Sequence, residues 1–385
     1  MIGAASVAFR IGSAFVAAVA VSAGAAAQPT ARPPFEVHWV EGACNSCSAA
    51  WRLGETLFTS RREAWGVGET GPGMSGEGIG ARVLLHTSDN GQTWSEVPGT
   101  KCYGVSPRVA FQDAKRGWIE AQSDPAGDPV MLRTVDGGAT WQDVTGTLPV
   151  FPHILDADDW WGITSTPVQT THGEAWSHAL MRTVDAGRHW TRSPVPGGAG
   201  DFPIVRMLSP SVGWAGGVTS GGLAVFRTTD GGRTWDESRT RTPSKATQLE
   251  DLFFINPRRG WLIVDYTLRE DVNGSGSYVL ATVDGGKTWA RSAVQAIAAE
   301  PAFWVRFLSE TLGFIFVDRR TDQAKASAVD QPAPSLVYTS DGGSRWDVVT
   351  VPDEVAGCQA LQGDLVCSAR SPRRHLSVLT IHPTR

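Results

Sequence analysis

The chain has little that would hold it in a membrane, on a nucleic acid or around a metal. Beyond residue 27 no apolar run approaches the ~20 residues that a membrane-spanning helix needs. Charge of one sign is also missing: the formal net charge is -5 and the pI about 5.9, so no nucleic-acid partner is expected. The eight histidines form neither HExxH nor HxH spacing, which leaves a zinc or copper centre without local support; neither metal nor cofactor is expected. Tyrosine is scarce, with Tyr103, Tyr266, Tyr278 and Tyr338 set against sixteen tryptophans and 43 glycines. That imbalance points to a recurring use of Trp beside tight turns.

At the N-terminus a single cation, Arg10, precedes the apolar run IGSAFVAAVAVSAGAAA, which closes on Ala25-Ala26-Ala27 before QPTARPP. This predicts a cleavable secretory leader over residues 1–27 and a periplasmic or secreted mature protein with no membrane span. About 358 residues remain (385 minus 27).

Those residues are repetitive. Six octets recur: TSDNGQTW (Thr87 to Trp94), TVDGGATW (Thr134 to Trp141), TVDAGRHW (Thr183 to Trp190), TTDGGRTW (Thr228 to Trp235), TVDGGKTW (Thr282 to Trp289) and TSDGGSRW (Thr339 to Trp346). Their four fixed residues would coincide by chance at about one position in 10⁵ to 10⁶. The aspartates Asp89, Asp136, Asp185, Asp230, Asp284 and Asp341 are 47, 49, 45, 54 and 57 residues apart, the period of a propeller blade. Each octet follows an apolar run and precedes a short polar one. Asp-Gly between them is turn chemistry: the carboxylate accepts N–H groups just downstream, and Gly takes a positive φ without a steric penalty. Upstream of each octet lies an apolar strand, a polar turn and an aromatic: Trp65, Trp118, Trp161, Trp214, Trp261 and Phe314.

Every unit therefore offers four strands, and the expected fold is all-β, a single seven-bladed propeller over residues 28–385. Six blades cover about 50–98, 99–146, 147–196, 197–241, 242–294 and 295–352. The seventh takes three strands from 353–385 and one from 35–40, a closure that protects sheet edges.

The octets resemble the Asp-box, or bacterial neuraminidase repeat, of the sialidase-like superfamily. Together with the upstream Trp strand they resemble Ycf48/Hcf136-type photosystem assembly factors and their non-photosynthetic relatives, over about residues 50 to 350. His189 and Arg345 depart from the Thr or Ser that usually precedes the octet Trp. The resemblance implies the propeller and leaves activity open, because sialidases, xyloglucanases, sortilin-like receptors and assembly factors share the hairpin.

The six octet aspartates and the tryptophans Trp94, Trp141, Trp190, Trp235, Trp289 and Trp346 read as structural. One blade apart on a rim, the carboxylates cannot make the pair that glycoside hydrolysis needs. A sialidase would carry an Arg-Ile-Pro strand and a Tyr nucleophile; the triplet is missing, and Tyr338 reads as a strand residue. No catalytic residue is assigned. The leading expectation is an exported, non-catalytic scaffold that binds or helps assemble another protein in the envelope or outside the cell. The alternative is a glycoside hydrolase or lyase, with a glycan ligand, whose acids come from the long second-to-third-strand loops: Glu69, Glu77, Asp128, Glu174, Asp265, Glu270, Asp271 and Asp318.

Paired cations recur in three first-to-second-strand turns: Arg61 and Arg62, Lys115 and Arg116, Arg258 and Arg259. The resemblance implies an arginine-rich patch, so these are candidate partner-binding residues; the plain alternative is charge on solvated turns. Five cysteines in an exported chain favour disulfides, with one thiol left over. Cys358 and Cys367 flank a turn between two β-like runs and suit a cross-strand bridge. Cys44 and Cys47 enter blade 1 and Cys102 enters blade 2, so a bond from Cys102 to Cys44 or Cys47 is expected.

Overall fold

A computed structural model describes residues 15–17, 33–44, 47, 51–69, 82–98, 100, 103–122, 129–146, 148, 153–170, 173–196, 204–219, 222–238, 246–269, 272–292, 302–317, 336–349, 351, 354–370 and 376–384. They form seven antiparallel sheets arranged as a seven-bladed β-propeller. In blades 1 to 6 the strands of each sheet are ordered as they occur in the chain. The first strands are Arg52–Phe58, Tyr103–Phe111, His153–Ile154, Ile204–Met207, Ala246–Phe254 and Ala302–Phe307. First strands touch those of neighbouring blades around most of the circuit, so they form the inner wall of a ring.

Blade 7 is built from both ends of the chain. Glu354–Leu361, Asp364–Arg370 and Leu376–Pro383 supply its inner three strands, and Phe35–Gly42 pairs along the whole of the last, from Phe35 opposite Pro383 to Gly42 opposite Leu376. A fifth strand, Phe15–Ala17, adds outside it and falls within the segment expected to be the leader. The ring is also fastened at its first strands. The Gln359 amide takes both the N–H and the C=O of Phe58, each at 3.1 Å, and Arg61 Nη2 meets Asp364 Oδ2 at 2.7 Å.

Strand side chains alternate between sheet faces, so each blade is apolar on both and buries them against its neighbours. The described core is accordingly seven layers between blades, with no single centre. Between blades 5 and 6, for example, Trp261, Ile263 and Val279 meet Val305, Phe307 and Ile315.

Two of the expected long loops are ladders. In blade 3, Trp160–Thr170 pairs with Gly173–Thr183 without a break, and in blade 5, Gly260–Arg269 pairs with Val272–Thr282 through one irregularity. Both contain Thr and Val, with Trp176 in blade 3 and Tyr266 and Tyr278 in blade 5, in mixed polar company, which fits a pleated ribbon better than an irregular loop. The blade 3 ribbon carries Trp176, 60% exposed, opposite Pro167.

Candidate functional site

Each octet closes on itself through one Thr and one Asp. In blade 2, Thr134 Oγ1 donates to Asp136 Oδ1 (2.8 Å) and accepts the N–H of Gly138 (2.8 Å), while Asp136 accepts the N–H (2.9 Å) and the hydroxyl (2.6 Å) of Thr140. Asp89, Asp230 and Asp284 repeat the set. In the two departing octets the turn survives: His189 Nδ1 replaces the hydroxyl at 2.6 Å from Asp185, and Arg345 gives Asp341 its backbone N–H at 2.8 Å. Hydrogen bonds to the charged form favour it. Those from Thr140 and Thr134 hold Asp136 at about 2, those from Thr234 and Thr228 do the same for Asp230, and Asp185 lies well below the usual carboxylate range, led by the His189 N–H. At Asp89 and Asp284 burial pushes upward, yet the bonds from neighbouring threonines outweigh it. Carboxylates held in this way are poor proton donors near neutral pH.

The tryptophans extend the turn to the neighbouring blade. Trp94, Trp190 and Trp346 donate Nε1–H to an octet glycine carbonyl at 3.1 Å, whereas Trp289 donates to Ser238 of blade 4 at 3.0 Å. Trp346 also reaches Ser292 of blade 5 at 2.9 Å. The second-strand Trp214 and Trp261 donate forward, to Gly285 (2.9 Å) and Gly342 (3.4 Å) of the next octet. Trp141 lies edge-on to Trp65 of blade 1 at 6.3 Å, and Trp235 packs on the layer between blades 3 and 4. A Cβ on Gly138 would stand 2.1 Å from the Trp65 ring. The octet is a fastener between blades.

Each first-to-second-strand turn sits beside its own octet through one backbone bond. The carbonyls of Arg62, Lys115, Asp158, Ser211, Arg258 and Thr311 accept N–H groups from Asn90, Gly137, Ala186, Gly231, Gly285 and Gly342, at 2.8 to 3.0 Å. These six residues are therefore structural equivalents. The shared position separates the paired cations. Arg61 is held by Asp364, Arg116 by Asp113 at 2.6 Å, and Arg259 by Glu310 at 3.3 Å. Arg62, Lys115 and Arg258 are exposed, with no side-chain partner among the described residues. Two shallow recesses adjoin them: about 640 Å³ beside Arg258, Pro257 and Val283, and about 330 Å³ beside Lys115, Ala114 and Val135. Val283 and Val135, from the octets of those same blades, are 61% and 58% exposed.

The ring axis holds a second arrangement, which the repeats did not announce. Asp251, 3% exposed, accepts the Val305 N–H at 3.0 Å and Arg306 Nη1 on Oδ2, while Arg206 Nη2 stands 3.5 Å from Oδ1. One carboxylate of blade 5 thus joins guanidinium groups of blades 4 and 6. Arg206 also borders an axial cavity of about 610 Å³ with Arg108, His153 and Gln359. Desolvation by the surrounding strands first, and the Arg206 charge second, pull the His153 imidazole down to about 4, while part of the side chain stays open to solvent. The signal that could have revealed this is spacing: His153, Arg206 and Arg306 each lie eight residues before the second-strand aromatic (Trp161, Trp214, Phe314) that they pair with.

Of the eight loop carboxylates, only Asp265 has a described side chain; the side chains of Glu69, Glu77, Asp128, Glu174, Glu270, Asp271 and Asp318 lie outside the described residues. Asp265 accepts the Ser277 hydroxyl at 2.5 Å and meets Glu250, which sequence reasoning missed. Burial first, then the Asp265 charge and its hydrogen bond, push Glu250 up to about 7. Two carboxyls in contact share a proton and leave no room for a sugar between them, where hydrolysis needs about 5 to 9.5 Å. Tyr338 is buried against the Phe35 ring at 4.9 Å, a core position.

Among the cysteines, Cys358 and Cys367 face each other across a strand pair and are joined, as are Cys44 and Cys47. The second pairing corrects the expected bond to Cys102, which lies outside the described residues. With Cα atoms 5.4 Å apart, Cys44 and Cys47 can close locally and need no partner from the next blade.

No family model matches the chain, and no curated protein does. Solved structures do. A structure of Ycf48 bound to a D1 peptide is similar at a TM-score of 0.51 and 21% identity, over 91% of this chain and 95% of that one. An α-L-arabinofuranosidase from Fusarium graminearum (TM-score 0.44, 11% identity, 90% and 97% covered) and an ulvan lyase of polysaccharide lyase family 25 (0.45, 11%, 77% and 80%) are more distant. The likeness to Ycf48 is one of fold.

Proposed function

We propose that this chain is an exported, non-catalytic propeller that binds another protein through its octet face, as a docking or assembly scaffold. The observation that carries the reading is the shared position of Arg62, Lys115 and Arg258. Three equivalent turns present an exposed cation without a side-chain partner among the described residues, and two of them stand beside an exposed valine and a recess. Apolar ground rimmed by charge suits a protein surface bearing carboxylates. The propeller of Ycf48, in the structure similar to this one, carries a bound peptide. The octet aspartates are committed to turns, and the Glu250–Asp265 contact lacks the spacing for glycoside hydrolysis.

The test places a photo-crosslinking residue at Val283 in cells and, separately, at Trp176 on the opposite face. The reading expects a discrete protein adduct from Val283 that disappears when Arg62, Lys115 and Arg258 are changed to Glu, with no sugar released from a panel of envelope and plant glycans. An adduct from Trp176 alone, or one from Val283 indifferent to the charge reversal, overturns the octet face; glycan cleavage overturns the non-catalytic class.

A further inference from the structure

We propose that the axial cavity binds a small oxyanion, a carboxylate or a phosphate, on the guanidinium of Arg206 with His153 at its side. The site stands apart from the octet face.

The argument begins with charge. Two guanidinium groups, Arg206 and Arg306, face one buried carboxylate, and no other carboxylate among the described residues lies within ion-pair distance of either. Asp251 is committed to blade 6, because Oδ2 takes both the Val305 N–H and Arg306. Its remaining contact with Arg206 is 3.5 Å, longer than the ~2.7–2.9 Å of a charge-assisted hydrogen bond. Arg206 spends one further donor on the Val205 carbonyl at 3.1 Å. Its side chain is 41% exposed and borders the cavity, so the rest of a five-donor fork is available to a ligand there. A guanidinium whose only carboxylate partner is shared keeps donors free, and an incoming anion can take them.

The surroundings favour an anion without overloading the site. Arg108 borders the same cavity, with its charge matched by Glu120. His153 is uncharged at neutral pH and can donate one N–H without adding repulsion to Arg206. Leu57 and Ile204 complete an apolar wall. At a half-open recess of this kind a guanidinium–oxyanion contact is screened by water less than on a flat surface, and more than in a closed core. A planar fork matches carboxylate and phosphate oxygens equally, so both belong to the same chemistry.

Two readouts test the site. The mature protein is titrated at constant ionic strength with inorganic phosphate and, separately, with succinate, by calorimetry and by NMR of the His153 ring. Saturable one-to-one binding is expected, with affinity lowered at least tenfold (about 1.4 kcal/mol) in Arg206→Gln and unchanged in Arg258→Gln. The bound anion should raise the His153 pKa in the parent protein and not in the variant. Tighter phosphate binding identifies a phosphorylated or inorganic ligand, and tighter succinate binding a carboxylate ligand. Should Arg206→Gln fail to fold, Arg206→Lys keeps the charge, loses the fork and must still bind more weakly. Binding that is unsaturable, or equal in parent and variants, overturns the proposal. Unchanged crosslinking at Val283 in the Arg206 variants would show that the octet-face reading stands or falls separately.

Discussion

Glu250 and His153 are both displaced toward their neutral forms, one by holding a proton and the other by losing it, so their effects on stability oppose each other. Burial holds Glu250 at about 7 against an ordinary 4.5, so the folded state binds its proton more tightly than the unfolded state does. Its contribution is fully present below about 4.5 and is lost as pH rises through 7. His153 is lowered to about 4 from 6.5, so the unfolded chain takes up a proton first, and stability is lost as pH falls from 6.5 through 4. In the parent protein the two slopes offset between about pH 4.5 and 6.5. Glu250→Gln should leave stability rising with pH across that window and should stabilise the protein at pH 8 by on the order of 1 kcal/mol. His153→Asn should leave the opposite slope. Urea denaturation at several pH values reads both, and parallel curves for all three proteins would sink the assignment. Asp136 and Asp230, held at about 2, lose their contribution as pH falls from the ordinary carboxylate range through about 2, below this window.

At the scale of the element, turn glycines answer to two different constraints, shown by Gly138 in the blade 2 octet and Gly363 in the hairpin between Leu361 and Asp364 of blade 7. Gly138 and Gly363 both sit in the left-handed region, at φ +85° and +86°. A Cβ on Gly363 meets nothing within 4 Å, whereas one on Gly138 would enter the Trp65 ring of the neighbouring blade. Gly363→Ala should therefore cost only backbone strain, about 1 kcal/mol. Gly138→Ala should cost that and the forced separation of blades 1 and 2, together about 3 kcal/mol or more. Chemical denaturation of the two variants distinguishes a turn that merely reverses the chain from one that joins blades; equal losses would contradict the fastener. The same logic explains Gly117, Gly260 and Gly313, each lying under a first-strand aromatic (Phe111, Phe254, Phe307) too close for any side chain.

For the whole molecule, closure is the decisive step, because seven layers between blades are complete only when blade 7 meets blade 1. That joint uses Phe35–Gly42 on the last strand, Gln359 on the Phe58 backbone and Arg61 on Asp364. A chain beginning after residue 43 lacks the outer strand and exposes the edge of Leu376–Pro383. It should aggregate or unfold at markedly lower temperature, whereas Arg61→Ala should cost only about 0.5–1 kcal/mol, since its guanidinium is half exposed. Static light scattering with thermal unfolding reads both. A truncated chain as stable as the full one would mean that the ring closes by other contacts.

The octets, the aromatic upstream of each and the leftover strands at both ends carried the architecture in the sequence itself, because turn and blade chemistry are local and recur once per blade. Even the terminal closure was legible, since three strands need a fourth. What the linear chain could not say was which like-looking residues differ. Arg61 and Arg62 are neighbours, yet one fastens the ring and the other faces solvent, according to their place relative to a backbone bond from the octet. Arg206, Asp251 and Arg306 are 45 and 55 residues apart and become partners only when first strands of successive blades converge on the axis. Charge pairing and proton sharing depend on distance across the ring, and only closure of that ring sets those distances.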